Sequence, residues 1–237
     1  MQLIQGSLLA HPRMVAWRNR LRRNTVLLGV YRLWAGRDGY EQRFGSALLA
    51  AVGMNDVVWD IGANVGLYSE KFLQRGASFV VCFEPAPAAI AELGRRFSDE
   101  SLARRVRVVP AALSNTRGSA NFVADGSSPV NKLGGSGPGA VIEVPVLRGD
   151  DALAEYSLPV PDVIKVDVEG YELEVIEGLQ GVLSRPQVRA VFVEVHFGLL
   201  HERGNDHAPA TIVALLKNHG FRTSWLDASH LIAHRGA

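Results

Sequence analysis

Apolar and polar positions follow two periods along most of the chain. Val57-Val58-Trp59-Asp60-Ile61 is a short, β-branched run that breaks at Gly62 and Gly66, and such a run predicts a buried strand. Val65 to Gln74 then resumes with helical spacing. The same alternation predicts strands over Phe79–Phe83 and Val106–Pro110 with a helix over Pro87–Phe97 between them. Further on it predicts a strand over Asp162–Val168, a helix over Glu169–Leu179 and a strand over Arg189–His196. A helix over Pro209–His219 and closing strands over Phe221–Leu226 and Leu231–His234 complete the series. Strands alternating with helices imply an α/β fold, doubly wound around a mostly parallel seven-stranded sheet.

Both the N-terminal part and a central segment depart from this pattern. Residues 12–34 mix six arginines with Val15, Trp17, Leu21, Val26, Leu27, Leu28, Val30 and Trp34, which predicts one or two amphipathic helices laid against the domain. A membrane-surface helix or a substrate-docking cap is the sharper alternative. Tyr40–Val52 reads as a helix leading into the first strand. The chain thus divides into a helical extension or cap (1–50) and a main domain (51–237). Within the latter, 114–149 reads as a hairpin, with Phe122-Val123 and Val141–Val146 flanking a Gly/Ser-rich loop. Such a loop is a lid or simple disorder, and a lid that orders on substrate is the expectation.

Composition removes several function classes. A chain of 237 residues, 47% hydrophobic, with net charge +1, can bury a full core and gives no global reason to expect nucleic acid as partner. Cys82 is the single cysteine, so neither a disulfide nor a cysteine metal site can form within the chain, which suits a reducing cytosol. Lying in an apolar run, Cys82 is expected to be a small buried residue. No segment has the length and apolarity of a membrane span, and the expected location is cytoplasmic.

The remaining polar residues share one kind of position. Asp60 and Gly62, Glu84, Asp167 and Glu169, and Glu194 and His196 fall at the carboxyl ends of four predicted strands. Ligands of open α/β sheets bind outside such ends, where a glycine turn can offer bare backbone N–H groups. Glu84 stands 18 residues beyond Gly66, where a carboxylate can hold a ribose diol. Ala111-Ala112-Leu113 is small and apolar enough to lie against an adenine face. Lys165, Asp167 and Glu169 point to one side of their strand; Glu172, Glu174 and Glu177 are expected on a solvated helix face. His196 is either a satisfied core histidine or functional. The turn itself reads G-x-N-x-G, not the dinucleotide pattern G-x-G-x-x-G.

Asp60-Ile-Gly-Ala-Asn-Val-Gly66 resembles motif I of class I S-adenosylmethionine (SAM) methyltransferases. Taken with Phe83-Glu84-Pro85, Ala112-Leu113-Ser114, Val144-Pro-Val, Asp150-Asp151 and Ile164-Lys-Val-Asp-Val-Glu-Gly170, the chain resembles the FkbM family of SAM-dependent methyltransferases over roughly residues 55–195. One departure is Arg148-Gly149, where that family usually has Thr-Leu. The resemblance implies a Rossmann-like fold with SAM held by Asp60, Gly62, Ala63, Asn64, Gly66 and Tyr68, ribose by Glu84 beside Pro85, adenine near Ala112 and Leu113, and Asp167 facing the donor. It implies O-methylation of a small-molecule acceptor, a sugar or natural product; a homo-oligomer is a further expectation. Because a hydroxyl is a weak nucleophile, His196 is the first candidate for the base, with Lys165, Asp167 and Glu169 positioning it or the substrate. The alternative is a divalent metal held by Asp167, Glu169 and Glu194. Rival functions are a catalytically silent SAM-binding protein and an NAD-dependent oxidoreductase.

Overall fold

The computed structural model describes residues 37–124, 132–133 and 140–236. The helices expected over residues 12–34 and most of the Gly/Ser-rich segment lie outside the described residues. Where a helix was expected before the first strand, α1 (Arg37–Ala51) forms. Then follow β1 (Val57–Ile61), α2 (Leu67–Arg75), β2 (Phe79–Phe83), α3 (Pro87–Arg96), α4 (Glu100–Ala103) and β3 (Val106–Val109). After an intervening sheet, β8 (Val163–Val166), α6 (Glu172–Gly178), α7 (Gln180–Leu183), β9 (Ala190–Glu194), α8 (Phe197–Glu202), α9 (Ala208–Asn218), β10 (Arg222–Trp225) and β11 (His230–His234) complete the main layer.

The main sheet has seven strands in the order β10-β11-β9-β8-β1-β2-β3. β11 runs antiparallel to both its neighbours, while the other pairings are parallel. β1 therefore sits between β2 and β8, at the point where the winding reverses, and this is where such sheets open a crevice. Side-chain alternation gives the sheet a core on each face. Trp59, Ile61, Val81, Phe83, Ile164, Val166, Val191 and Val193 pack against α6, α7 and α9. Val58, Val80, Cys82, Val163 and Phe192 pack against Phe44 and Leu48 of α1, Phe72 of α2 and Leu93 of α3.

A second sheet, β4-β7-β5-β6, stands beside the first. It is built from β4 (Ala112–Leu113), β5 (Gly118–Ala124), β6 (Lys132–Leu133) and β7 (Ala140–Leu147). The predicted pair of short strands is here a seven-residue antiparallel register from Gly118↔Val146 to Ala124↔Ala140. Phe122 and Val144 of this sheet pack on Ala86 and Ala89 at the start of α3. α5 (Gly149–Glu155) follows directly. A Cβ at Gly149 would overlap the Leu179 side chain, so the departure at Arg148-Gly149 is an adjustment of packing. No helix among the described residues is long and apolar enough to cross a membrane.

Candidate active site at the sheet's switch point

The turn after β1 closes onto its neighbours through main-chain bonds. Gly62 N (3.0 Å) and Ala63 N (3.1 Å) both donate to the Phe83 carbonyl, and Gly66 N donates to the Ala63 carbonyl. Asn64 N donates to Glu84 Oε2 at 2.8 Å. These amides are therefore not bare toward a ligand, contrary to the expectation from the motif. Gly62 has φ +77°, and a Cβ there would overlap the Asp167 carbonyl oxygen. Only glycine lets the β1 turn and the end of β8 approach this closely. Asn64 (φ +49°) takes the left-handed region, which asparagine tolerates.

The crevice beside this turn has a volume of about 670 Å³, counting the part open to solvent. It is lined by Gly62 and Asn64 of the turn, by Glu84 and Pro85 after β2, by an apolar wall of Ala111, Ala112, Leu113 and Phe122, and by Asp167, Val168, Glu169 and Tyr171 after β8. That shape suits a nucleoside with its base on the apolar wall. Glu84 is almost fully buried; its second oxygen accepts from Ala86 N at 2.8 Å. Burial raises its pKa, opposed by these two backbone donors. Each oxygen keeps a lone pair for a ribose hydroxyl. Among the described residues the lining carries charge of one sign: Glu84, Asp167 and Glu169 line the crevice, and no described lining residue is Lys or Arg.

Asp60 and Lys165 lie one layer below. They are register partners on β1 and β8, so their side chains share a face, and both are buried. Lys165 Nζ stands 3.1 Å from Asp60 Oδ1 and 3.4 Å from Asp167 Oδ2, and 5.4 Å from the Tyr68 ring centroid. Burial alone would lower the lysine pKa, but Asp60 and Asp167 outweigh it and hold the ammonium above its ordinary range. Ser69 Oγ donates to the other oxygen of Asp60 at 2.6 Å. Of the expected site residues, Asp60, Ala63, Gly66, Tyr68, Lys165 and His196 do not line the crevice, whereas Gly62, Asn64, Glu84, Pro85, Ala112, Leu113, Asp167 and Glu169 do.

His196 follows β9 and precedes α8, at the edge of the crevice. Its Nδ1 donates to Glu172 Oε1 at 2.7 Å. Its Nε2 faces Glu169 (3.3 Å), Asp167 (3.8 Å) and Glu194 (3.9 Å). Burial would lower the imidazole pKa, yet the hydrogen bond and charge of Glu172, with Glu169 and Asp167, raise it to about 9. Burial raises the Glu169 carboxyl, opposed by His196. Glu172 was expected on a solvated face; it is fully buried. Placed in the first turn of α6, its carboxylate turns back to accept from Gly170 N at 2.8 Å and from the His196 ring. Helical period alone could not reveal this, because the partner lies 24 residues away on another element. Glu174 pairs with Arg203 and Glu177 with Asn115. The loop holding Glu169 is clamped by Arg203, which donates to the Gly170 carbonyl and stacks 3.6 Å from the Tyr171 ring centroid.

Asp167, Glu169 and His196 each offer one ligand atom within 4.8 Å of the others; this set has His196 in place of the expected Glu194. Cys82 is buried beside Ser69, and burial pushes its thiol pKa upward, so it is inert packing.

Comparison with known proteins adds what geometry cannot. The family model described as "Methyltransferase FkbM domain" matches residues 60–223. A hexuronic acid methyltransferase, AglP, of Haloferax volcanii is 31% identical over 178 residues, 72% of this chain and 69% of that one. The 31-O-demethyl-FK506 methyltransferase FkbM of Streptomyces tacrolimicus is 31% identical over 200 residues, 70% of this chain and 72% of that one. A solved structure, the FkbM methyltransferase of Methylobacillus flagellatus, superposes with a TM-score of 0.53 at 15% identity over 76% of this chain; the match spans 43% of that longer chain.

Proposed function

The chain belongs to the methyltransferase FkbM domain family, and from that membership we propose that it is a SAM-dependent O-methyltransferase acting on a hydroxyl of a sugar, glycoside or secondary metabolite in a reducing compartment. The sign of the crevice carries the donor assignment. Three carboxylates line it, none of its described lining residues is Lys or Arg, and the lysine that reaches them, Lys165, stands behind Asp167. The turn amides at Gly62, Ala63 and Asn64 are already engaged by β2 and Glu84. A pyrophosphate needs free amides or cations at this position; a cationic nucleoside does not. That counts against a nicotinamide dinucleotide and for a sulfonium.

Bound SAM would supply a methyl group on sulfonium, transferred in line to an oxygen. Glycine at residue 62 lets the turn after β1 lie against the Asp167 carbonyl, which brings together the two strand ends that would hold the donor. Glu84 would hold the ribose, and Ala112 and Leu113 the adenine. On the acceptor side, Asp167, Glu169 and His196 would orient the hydroxyl and draw off its proton, with Lys165 fixing Asp167 and Asp60 fixing Lys165. Relatives named for a hexuronic acid and for 31-O-demethyl-FK506 support a polyhydroxylated small molecule as acceptor.

The test is turnover with SAM and a panel of uronic acid glycosides, neutral glycosides and polyketide alcohols, followed by mass spectrometry. The expected result is S-adenosylhomocysteine together with a product methylated on oxygen. Donor that binds yet stays intact across the panel would support the silent-binder alternative instead.

A further inference from the structure

The acceptor edge of the crevice carries more negative charge than its own cations balance. Asp167, Glu169, Glu172 and Glu194 all approach His196, and the neighbouring Lys165 is shared with buried Asp60. Glu172 is fully buried, and its Oε2 has no hydrogen-bond partner among the described residues. Crowded carboxylates are costly unless a cation joins them. Geometry shows where one fits. His196 Nε2 lies 3.3 Å from Glu169 Oε2 and 3.8 Å from Asp167 Oδ1. Adjacent ligands of a six-coordinate ion with bonds of about 2.1 Å stand roughly 3 Å apart, so small side-chain rotations would bring all three onto one ion. The outer contacts match those of a metal site: the imidazole gives its other N–H to a buried carboxylate, Glu172, and Asp167 offers its second oxygen to Lys165. Such partners fix the tautomer and aim the ligands.

We propose that Asp167, Glu169 and His196 form a site for one hard divalent cation of the Mn²⁺ type, oriented by Glu172 and Lys165. Two carboxylates favour such an ion, and one imidazole favours Mn²⁺ over Mg²⁺. Three protein ligands on one side leave further positions for water and for acceptor oxygens, such as a vicinal diol. With their lone pairs on the ion, these three side chains would no longer take the proton themselves; a coordinated hydroxyl would release it to solvent more readily, its oxygen then bonding the methyl carbon as the carbon–sulfur bond breaks. This role rests on the methyl-transfer reading above; the binding of the ion does not.

Chelator-treated full-length protein titrated with Mn²⁺, read by the electron paramagnetic resonance signal of the free ion, tests the site. The expected result is one site per chain, weakened at least about tenfold by Asp167→Asn and by Glu169→Gln, and about ten- to hundredfold by Glu172→Gln. The Glu169 side chain is 24% exposed and glutamine keeps its shape, so that variant folds, as a thermal melt on the same sample would show. No Mn²⁺ bound at millimolar ion, or equal binding by wild type, Asp167→Asn and Glu169→Gln, would overturn the site. Calorimetry with S-adenosylhomocysteine on the same samples separates the two claims. Donor product bound without Mn²⁺ removes the metal site alone; Mn²⁺ bound without donor product leaves the site standing and strikes the methyl-transfer reading.

Discussion

Gly62 shows how far one position constrains the site. Its φ of +77° and the overlap of any Cβ with the Asp167 carbonyl mean that Gly62→Ala must push the β1 turn away from the end of β8. The backbone contribution alone is about 1–3 kcal/mol; a denaturant midpoint equal to wild type would contradict the geometry. Glu84→Ala removes the carboxylate that accepts Asn64 N and Ala86 N and that would hold the ribose. Affinity for S-adenosylhomocysteine is expected to fall roughly ten- to hundredfold by calorimetry. Lys165 was expected among the catalytic residues, and its burial adds a structural consequence. Lys165→Met leaves Asp60 and Asp167 without their ammonium, at a cost of about 3–5 kcal/mol. Wild-type stability in that variant would mean that the ion pair is not structural.

At the scale of elements, the end of β9 is tied to β11 and α1. His230 of β11 is 1% exposed, lies 2.8 Å from Asp227 Oδ2 and 3.5 Å from Glu194 Oε2, and stacks on Phe44 of α1 at 4.0 Å between ring centroids. Burial would lower its pKa, but Asp227 and Glu194 raise it to about 9. A folded-state pKa above the ordinary value of about 6.5 means that the folded protein binds the proton more tightly than the unfolded chain does. The resulting stability is fully present below pH ~6.5 and is lost as pH rises through about 9. Urea midpoints of metal-free protein should fall across that window. His196 contributes there too, so the decisive quantity is the part of the slope that His230→Asn removes. No change in slope would show that the Glu194–His230–Asp227 chain does not hold the proton.

For the whole molecule, the seven strands and the position of the crevice were legible because strand and helix periods are clean and because polar residues interrupt apolar strands at one edge. Glu84, Asp167 and Glu169 stood out for that reason, and all three line the crevice. Contacts closed by residues distant in sequence were not legible. The burial of Glu172 depends on His196, and the descent of Asp60 and Lys165 below the crevice depends on strand register. The second sheet was read only as a hairpin, since β4 and β6 are two residues each and carry no period. Phe122 lines the crevice from β5, but the sequence marks it only as a strand residue, because the face it turns to the crevice is set by strand pairing. The motif at residues 60–66 led to an expectation of bare amides; instead they brace the turn against β2, a detail set by pairing and not by composition.

Whether this crevice holds a cationic nucleoside donor is decided by calorimetric titration of the full chain with S-adenosylmethionine and S-adenosylhomocysteine. Two temperatures guard against a binding enthalpy near zero at one of them. One ligand per chain, competition between the two compounds and no competition by NAD are expected. Folded protein that gives no heat with either compound at both temperatures, or that binds NAD in their place, would contradict a donor site here.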